Sequence, residues 1–99
     1  MEAPEFDKDG YPTESTLDAI RSWDVTTDGI QSLIEFCIQA WYGPDMTYKN
    51  ASDEYEFHTG GWSGNESIIE AMQENRLFWA LSWYSSKRGG HYLFKLQCN

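Results

Sequence analysis

Residues 54–67 read EYEFHTGGWSGNES, and this stretch contains the signals of a strand, a turn and a helix start. The apolar Tyr55 and Phe57 alternate with polar residues, which is the two-residue period of a half-buried strand. Glycines follow, and apolar residues at 68, 69, 71 and 72 then recur at helical spacing, to about residue 75. The stretch therefore predicts a strand that turns sharply into a helix.

Two further helices are predicted before this stretch. The first spans Glu14 to about Trp23, with Thr13 or Ser15 as its N-cap. The second follows Thr27 as N-cap, and its apolar residues keep the i, i+3, i+4, i+7 spacing of one buried helix face. The residues of that face are Ile30, Leu33, Ile34, Cys37, Ile38 and Trp41.

Two hairpins complete the predicted fold. Residues 46–49 are expected to pair with residues 54–58 around a turn-like segment. Residues 77–84 are predicted as a strand, because a helix continuing from Gly64 to Tyr84 would be apolar on all sides of its second half. The cluster SSKRGG at 85–90 then turns the chain into a partner strand at 91–96. The result is an α+β fold of order ααββαββ, a four-stranded antiparallel sheet of two hairpins packed against two to three helices.

The composition of the 99-residue chain favours one acidic domain. Residues 1–11 are predicted to form a flexible acidic arm, and residues 12–99 a single globular domain. The formal charge is −9, and residues 1–59 alone hold 13 Asp and Glu against three Lys and Arg. This charge argues against direct binding of nucleic acid or of an anionic membrane. An acidic start and the lack of a long apolar run predict a cytoplasmic protein with free thiols, in which Cys37 fills the core.

The glycine turn has a structural and a functional interpretation. Ser63 and Glu66 fit the capping-box pattern S-x-x-E, in which each side chain binds a backbone N–H at the helix start. Alternatively, the turn amides hold an anion or a polar ligand at the helix N-terminus. The residues of that candidate ligand site are His58, Gly61, Ser63, Gly64, Asn65 and Arg76. Trp62, at the tip of the turn, is either a lid on the core or an exposed anchor.

No motif in the chain is typical of a metal site, a cofactor site or a catalytic site. The H-E-x-x-H and C-x-x-C spacings are missing, so we expect no metal and no cofactor. His58, Ser63 and Glu66 form a generic grouping, so a hydrolase stays an alternative, although no catalytic residue is expected. A basic cluster is interpreted either as a solvated hairpin tip or as a contact for an anionic partner; its residues are Arg76, Lys87, Arg88 and His91.

The run TGGWSGNESI at residues 59–68 resembles a motif of small uncharacterised proteins encoded by bacteriophages. The similar residues also include DGYPT at 9–13, QENR at 73–76, FW at 78–79, Trp83, SS at 85–86 and RGG at 88–90. The resemblance covers most of the chain and is strongest from residue 58 to residue 94. It implies a short accessory phage gene expressed in the bacterial host cytosol, and it implies no catalytic residue.

These observations favour an accessory protein that binds a host bacterial protein and inhibits or redirects it. An acidic surface suits a basic, nucleic-acid-binding surface on a host defence factor such as a CRISPR complex. The expected contacts are Asp45, Asp53, Glu54 and Glu56, with Trp62 as an aromatic anchor. The alternatives are a small-ligand or nucleotide-binding module built on the glycine turn, and a small hydrolase. The aromatic content of 16% and an open sheet face also favour a homodimer.

Overall fold

The computed structural model describes residues 3–43, 47–51 and 54–95, apart from the side chains of residues 50 and 51. Within these residues, helices pack on one face of a four-stranded antiparallel sheet, which confirms the predicted α+β fold. The elements are α1 (Glu14–Arg21), α2 (Ile30–Ala40), β1 (Thr47–Ala51), β2 (Glu54–His58), α3 (Ser63–Glu74), α4 (Arg76–Ser82), β3 (Trp83–Lys87) and β4 (His91–Lys95).

The sheet has the strand order β1-β2-β4-β3, so the two predicted hairpins join through β2 and β4. In the register of that central pair, Tyr55 lies opposite Phe94 and Phe57 lies opposite Tyr92. These apolar residues form the inner face, and Phe57 and Phe94 are completely buried against the helices. Because side chains alternate along a strand, Glu56 and His58 lie on the outer face with their partners on β4.

The helix starts follow turn chemistry that the sequence predicted only in part. Thr13 caps α1, as predicted, because its hydroxyl accepts the N–H of Thr16 at 3.3 Å. The N-cap of α2 is Gly29, with φ 90°, so the prediction of Thr27 is wrong. The hydroxyl of Thr27 instead donates to Asp24 at 2.9 Å, within a turn that places α2 two residues further along the chain.

The strand predicted at residues 77–84 is wrong, because most of this segment forms helix α4. Asn75 has non-helical backbone angles (φ −82°, ψ 84°) and separates α4 from α3. Its side-chain Oδ1 accepts the N–H of Phe78 at 3.3 Å and thereby caps the new helix. Because α4 starts in a new direction, it buries Phe78 and leaves Leu77 exposed. The largely apolar sequence of this segment is therefore compatible with a helix.

Cys37 lies in the core, as predicted, and burial raises the pKa of its thiol well above the ordinary range. This cysteine is therefore a neutral packing group rather than a nucleophile. Cys98 lies outside the described residues. Among the residues that the structure describes, no helix is long and apolar enough to cross a membrane.

Candidate functional site

The glycine turn is built for the change of direction between β2 and α3. Gly60 and Gly61 have φ values of 63° and 74°, which residues with a Cβ rarely adopt. Ser63 is already helical and the N-cap is Trp62, which makes no side-chain capping bond, so the predicted capping box is wrong. The helix begins one residue earlier than the capping box requires, because the glycines complete the turn before Ser63.

Asn65, which was predicted as a ligand contact, forms hydrogen bonds that connect the start of α3 to two other backbone segments. Its side chain is 1% exposed and lies between two other segments of the chain. Its Oδ1 accepts the N–H of Tyr42 at 2.9 Å, and its Nδ2 donates to the carbonyls of Tyr42 and Thr59 at 3.1 and 3.2 Å. Every polar atom of the side chain is therefore used within the protein, and none points to a ligand.

The Trp62 side chain is neither fully buried nor fully exposed. Its ring lies between Tyr11 and Tyr42, with centroid distances of 4.8 and 4.9 Å. One face of the indole also covers Gly64, where an added Cβ would fall inside van der Waals contact with the ring. Trp62 is thus partly buried, while Tyr42 stays 64% exposed at the rim of the stack.

The two described acids of the first hairpin each have a side-chain partner. Glu54 lies 3.6 Å from Lys95, and Glu56 lies 3.1 Å from the Nε2 atom of His58. Both carboxylates sit on the outer face of the sheet and both are partly buried. Asp45 and Asp53 lie outside the described residues.

His58 and His91 face each other across β2 and β4, with their Nδ1 atoms in contact. They line a groove of about 250 Å³ on the outer face of the sheet. No hydrogen bond of the His58 ring goes to Ser63 or Glu66 among the described residues, so the structure does not assemble the hydrolase grouping. Arg76 lies beyond the far end of α3, about 18 Å of helix from the glycine turn.

The described residues instead bring a row of acidic side chains together on two neighbouring helices. We name this surface the carboxylate face, and it consists of Glu14, Asp18, Glu66, Glu70 and Glu74. Arg21 of α1 joins the two helices, because its guanidinium binds Glu14 at 2.8 Å, Asp18 at 2.6 Å and Glu74 at 3.2 Å. Arg21 therefore links the carboxylates of α1 to Glu74, and Glu70 and Glu66 continue the row along α3 toward a groove that Gly90 and Tyr92 also line.

Charge is only partly balanced on the carboxylate face. Hydrogen bonds to Glu14 and Asp18 raise the pKa of Arg21 well above its ordinary range, so this cation is permanent. Glu66 and Glu70, both exposed, make no ion pair with any residue that the structure describes. Sequence reasoning missed this surface, although the i, i+4, i+8 spacing of Glu66, Glu70 and Glu74 is its signal.

Within the described parts of the chain, no group of three or more His, Cys, Asp or Glu side chains is placed to hold a metal ion. Comparisons with protein-family models, with curated proteins and with solved structures give no match.

Proposed function

We propose that this protein acts by binding a basic surface of another protein, and that the carboxylate face is its contact. The supporting observation is the pair Glu66 and Glu70, which are exposed, one helical turn apart and without a described cation beside them. Along α3 the carboxylates recur about every 6 Å, which is four residues of helical rise. Such a row attracts the cation-lined grooves that bind nucleic acid.

The same row is unfavourable for the isolated protein. Like charges four residues apart destabilise a helix by about 0.2–0.5 kcal/mol per pair. A partner that supplies Lys or Arg side chains would remove that repulsion and gain opposite-charge contacts. The carboxylate face therefore replaces the first hairpin as the proposed contact, because Glu54 and Glu56 already face Lys95 and His58.

The resemblance to small phage proteins supports a bacterial protein as the partner. In that setting the protein would occupy a nucleic-acid-binding surface of the host, for example in a defence complex, and block or redirect it. Electrostatic attraction would speed association and make binding sensitive to salt. The proposal needs no catalytic residue and no cofactor.

The test compares two double variants that each remove two negative charges. Glu66→Gln with Glu70→Gln alters the carboxylate face, and Asp28→Asn with Glu35→Gln alters exposed acids elsewhere as the matched control. Tagged forms of each would be used to capture proteins from bacterial lysate at low and moderate salt, with duplex DNA as competitor. Mass spectrometry would quantify each captured protein.

We expect the wild type and the control to retain a basic nucleic-acid-binding protein, which added salt or DNA releases. The carboxylate-face variant should retain at least about fivefold less, since two exposed ion pairs together contribute roughly 1 kcal/mol. Equal losses in both variants would mean that net charge alone drives capture. That result, or full retention by the carboxylate-face variant, would contradict the proposal.

A further inference from the structure

Strand β3 is an edge of the sheet. It pairs with β4 along one side, and no described strand pairs with its other side. The register of β3 is irregular between Trp83 and Ser85 and regular from Ser85 to Lys87. Over these last residues, the backbone N–H and C=O groups on the outer side are available to another extended chain. Four of its five residues are exposed, and Ser85 is partly buried.

Large apolar side chains are exposed close to this edge. Trp83 and Tyr84 begin β3 and are 41% and 55% exposed. Leu77 and Leu81, one turn apart on α4, are exposed just before them. Half of the described large apolar residues that are exposed thus fall within eight consecutive positions, which is typical of a contact surface.

The charge of this part of the chain is opposite to that of the rest. All 16 Asp and Glu lie in residues 1–74, whereas residues 75–99 contain four Lys and Arg and no Asp or Glu. Lys87 ends β3 and Arg88 follows it, and neither makes an ion pair with a described residue. Lys95 lies 4.0 Å above the ring of Tyr84, but it also pairs with Glu54 at 3.6 Å, so Lys87 and Arg88 are the cations that the edge offers to a partner.

A groove beside this edge has room for a side chain of a bound segment. The groove on the outer face of the sheet, about 250 Å³ in volume, is lined by Ser85 and Lys87 of β3. His91 and Leu93 of the paired strand β4 form the opposite part of its lining. Glu56 and His58 of β2 complete the lining, and the Glu56 carboxylate lies 3.1 Å from the Nε2 atom of His58. The groove thus offers a cation, a hydroxyl and two imidazoles, beside one carboxylate that already has a partner.

We propose that the β3 edge binds an acidic, extended segment of a partner protein, which joins the sheet as a fifth strand. Backbone hydrogen bonds would supply affinity, and alternate side chains of the segment would contact the groove and the exposed aromatic rings. Carboxylates on the segment match Lys87 and Arg88. A second copy of this edge matches less well, because residues 75–99 supply no carboxylate to pair with Lys87 and Arg88.

This inference concerns a surface separate from the carboxylate face, so it goes beyond the proposed function and does not depend on it. The probe is a synthetic peptide of four Val-Glu repeats, with blocked ends. Two control peptides are four Val-Lys repeats and the Val-Glu peptide N-methylated at two consecutive central residues. Methylation keeps the charge but removes N–H donors on both edges of the peptide.

Titration of the isotope-labelled protein, followed by amide chemical shifts, should show binding of the Val-Glu peptide at Trp83–Lys87. The Val-Lys and methylated peptides should bind at least about tenfold more weakly. Lys87→Glu with Arg88→Glu should lose the binding, whereas Lys8→Glu with Lys49→Glu, an equal charge change away from β3, should keep it. The methylated peptide tests strand addition on the wild-type protein, so the conclusion does not depend on the folding of the reversed-charge variant.

Three results would overturn the inference. The first is no binding of the Val-Glu peptide to the wild type. The second is equal binding of the methylated peptide, which would reduce the surface to a charge contact without strand addition. The third is a concentration-dependent dimer in sedimentation that the Val-Glu peptide does not dissociate, which would assign the edge to a second copy of this chain.

Discussion

Gly64 has no side chain at a place where the indole of Trp62 lies directly over the helix backbone. The backbone of Gly64 is ordinary helix, so its role is to make room rather than to adopt an unusual angle. The space lets the Trp62 ring stack on Tyr11 and contact Tyr42 at a tilt of 36°. At the residue scale, Gly64 thus provides the space in which the Trp62 ring packs on the start of α3.

Gly64→Ala should destabilise the protein by about 1 kcal/mol. Alanine favours helix over glycine by about 1 kcal/mol, but overpacking against the Trp62 ring costs about 1–3 kcal/mol. In a Trp62→Ala background the same change should become neutral or stabilising, by up to about 1 kcal/mol. Urea unfolding of the four proteins measures this reversal.

Gly29→Ala is the control for that cycle. Its cost, about 1–2 kcal/mol, arises from the φ of 90°, and no atom outside its two chain neighbours lies within 4 Å of the added Cβ. The cost should therefore be the same with and without Trp62. A Gly64→Ala cost that is also unchanged by removal of Trp62 would show that the ring does not limit this position.

Asp24 organises the turn between α1 and α2 through its charge. Hydrogen bonds from the hydroxyls of Thr26 and Thr27 lower the pKa of its carboxyl group. The folded protein therefore prefers the charged form more than the unfolded chain does. This stability is present above the ordinary pKa of Asp, about 3.9, and is lost as pH falls through the lowered folded value.

Asp24→Asn should therefore lower the thermal midpoint at pH 7 and have progressively less effect as the pH falls below about 4. Unfolding curves of both proteins between pH 7 and pH 2 test this expectation. Asp28→Asn, an equal charge change in the same connection, should show a smaller difference at pH 7. A constant gap between the wild type and Asp24→Asn at every pH would contradict the electrostatic origin.

At the scale of elements, Asn75 decides where one helix ends and the next begins. Its side chain is nearly completely buried between α3, α4 and the end of α1. Its Nδ2 donates to the carbonyls of Ile20 and Trp23 at 2.9 and 3.0 Å, while its Oδ1 caps α4. One amide thus binds two carbonyls of the turn that ends α1 and also starts a new helix.

Asn75→Asp should destabilise the protein by about 2–4 kcal/mol, although Asp caps a helix as well as Asn does. The carboxylate would place a negative oxygen against the carbonyls of Ile20 and Trp23, where the amide now donates. Asn75→Ala, which only leaves these groups unpaired, should cost less, about 1–3 kcal/mol. Denaturant unfolding gives both values, and an Asp variant more stable than the Ala variant would contradict this account.

The break at Asn75 also explains why residues 77–84 were wrongly predicted as a strand. Local propensity alone does not separate an apolar helix from a buried strand in so short a segment. The decision depends on Asn75 reaching the carbonyl of Ile20, 55 positions earlier in the chain. In contrast, the alternation in β2 and the cap of α1 are local signals, and both predictions are confirmed.

At the scale of the whole molecule, charge is divided between two surfaces. The carboxylate face lies on α1 and α3, and the cations of the last quarter of the chain lie at and beside the β3 edge. The two proposals therefore predict opposite electrostatics: a basic partner at the helices and an acidic strand at the sheet edge. Charge reversal at one surface should leave binding at the other unchanged, except for the general effect of net charge.

The sequence by itself determined the α+β class, the approximate positions of the helices and strands outside residues 75–87, the excess of negative charge and the core position of Cys37. These properties depend on periodicity, turn residues and composition, which act over a few neighbouring positions. Only the tertiary structure decided that Glu74 meets Arg21, that His58 faces His91, and that Lys87 ends an unpaired strand. Such groupings join residues far apart in the chain, and they form only when helices pack and strands pair, because burial of the shared core supplies the free energy that holds them together.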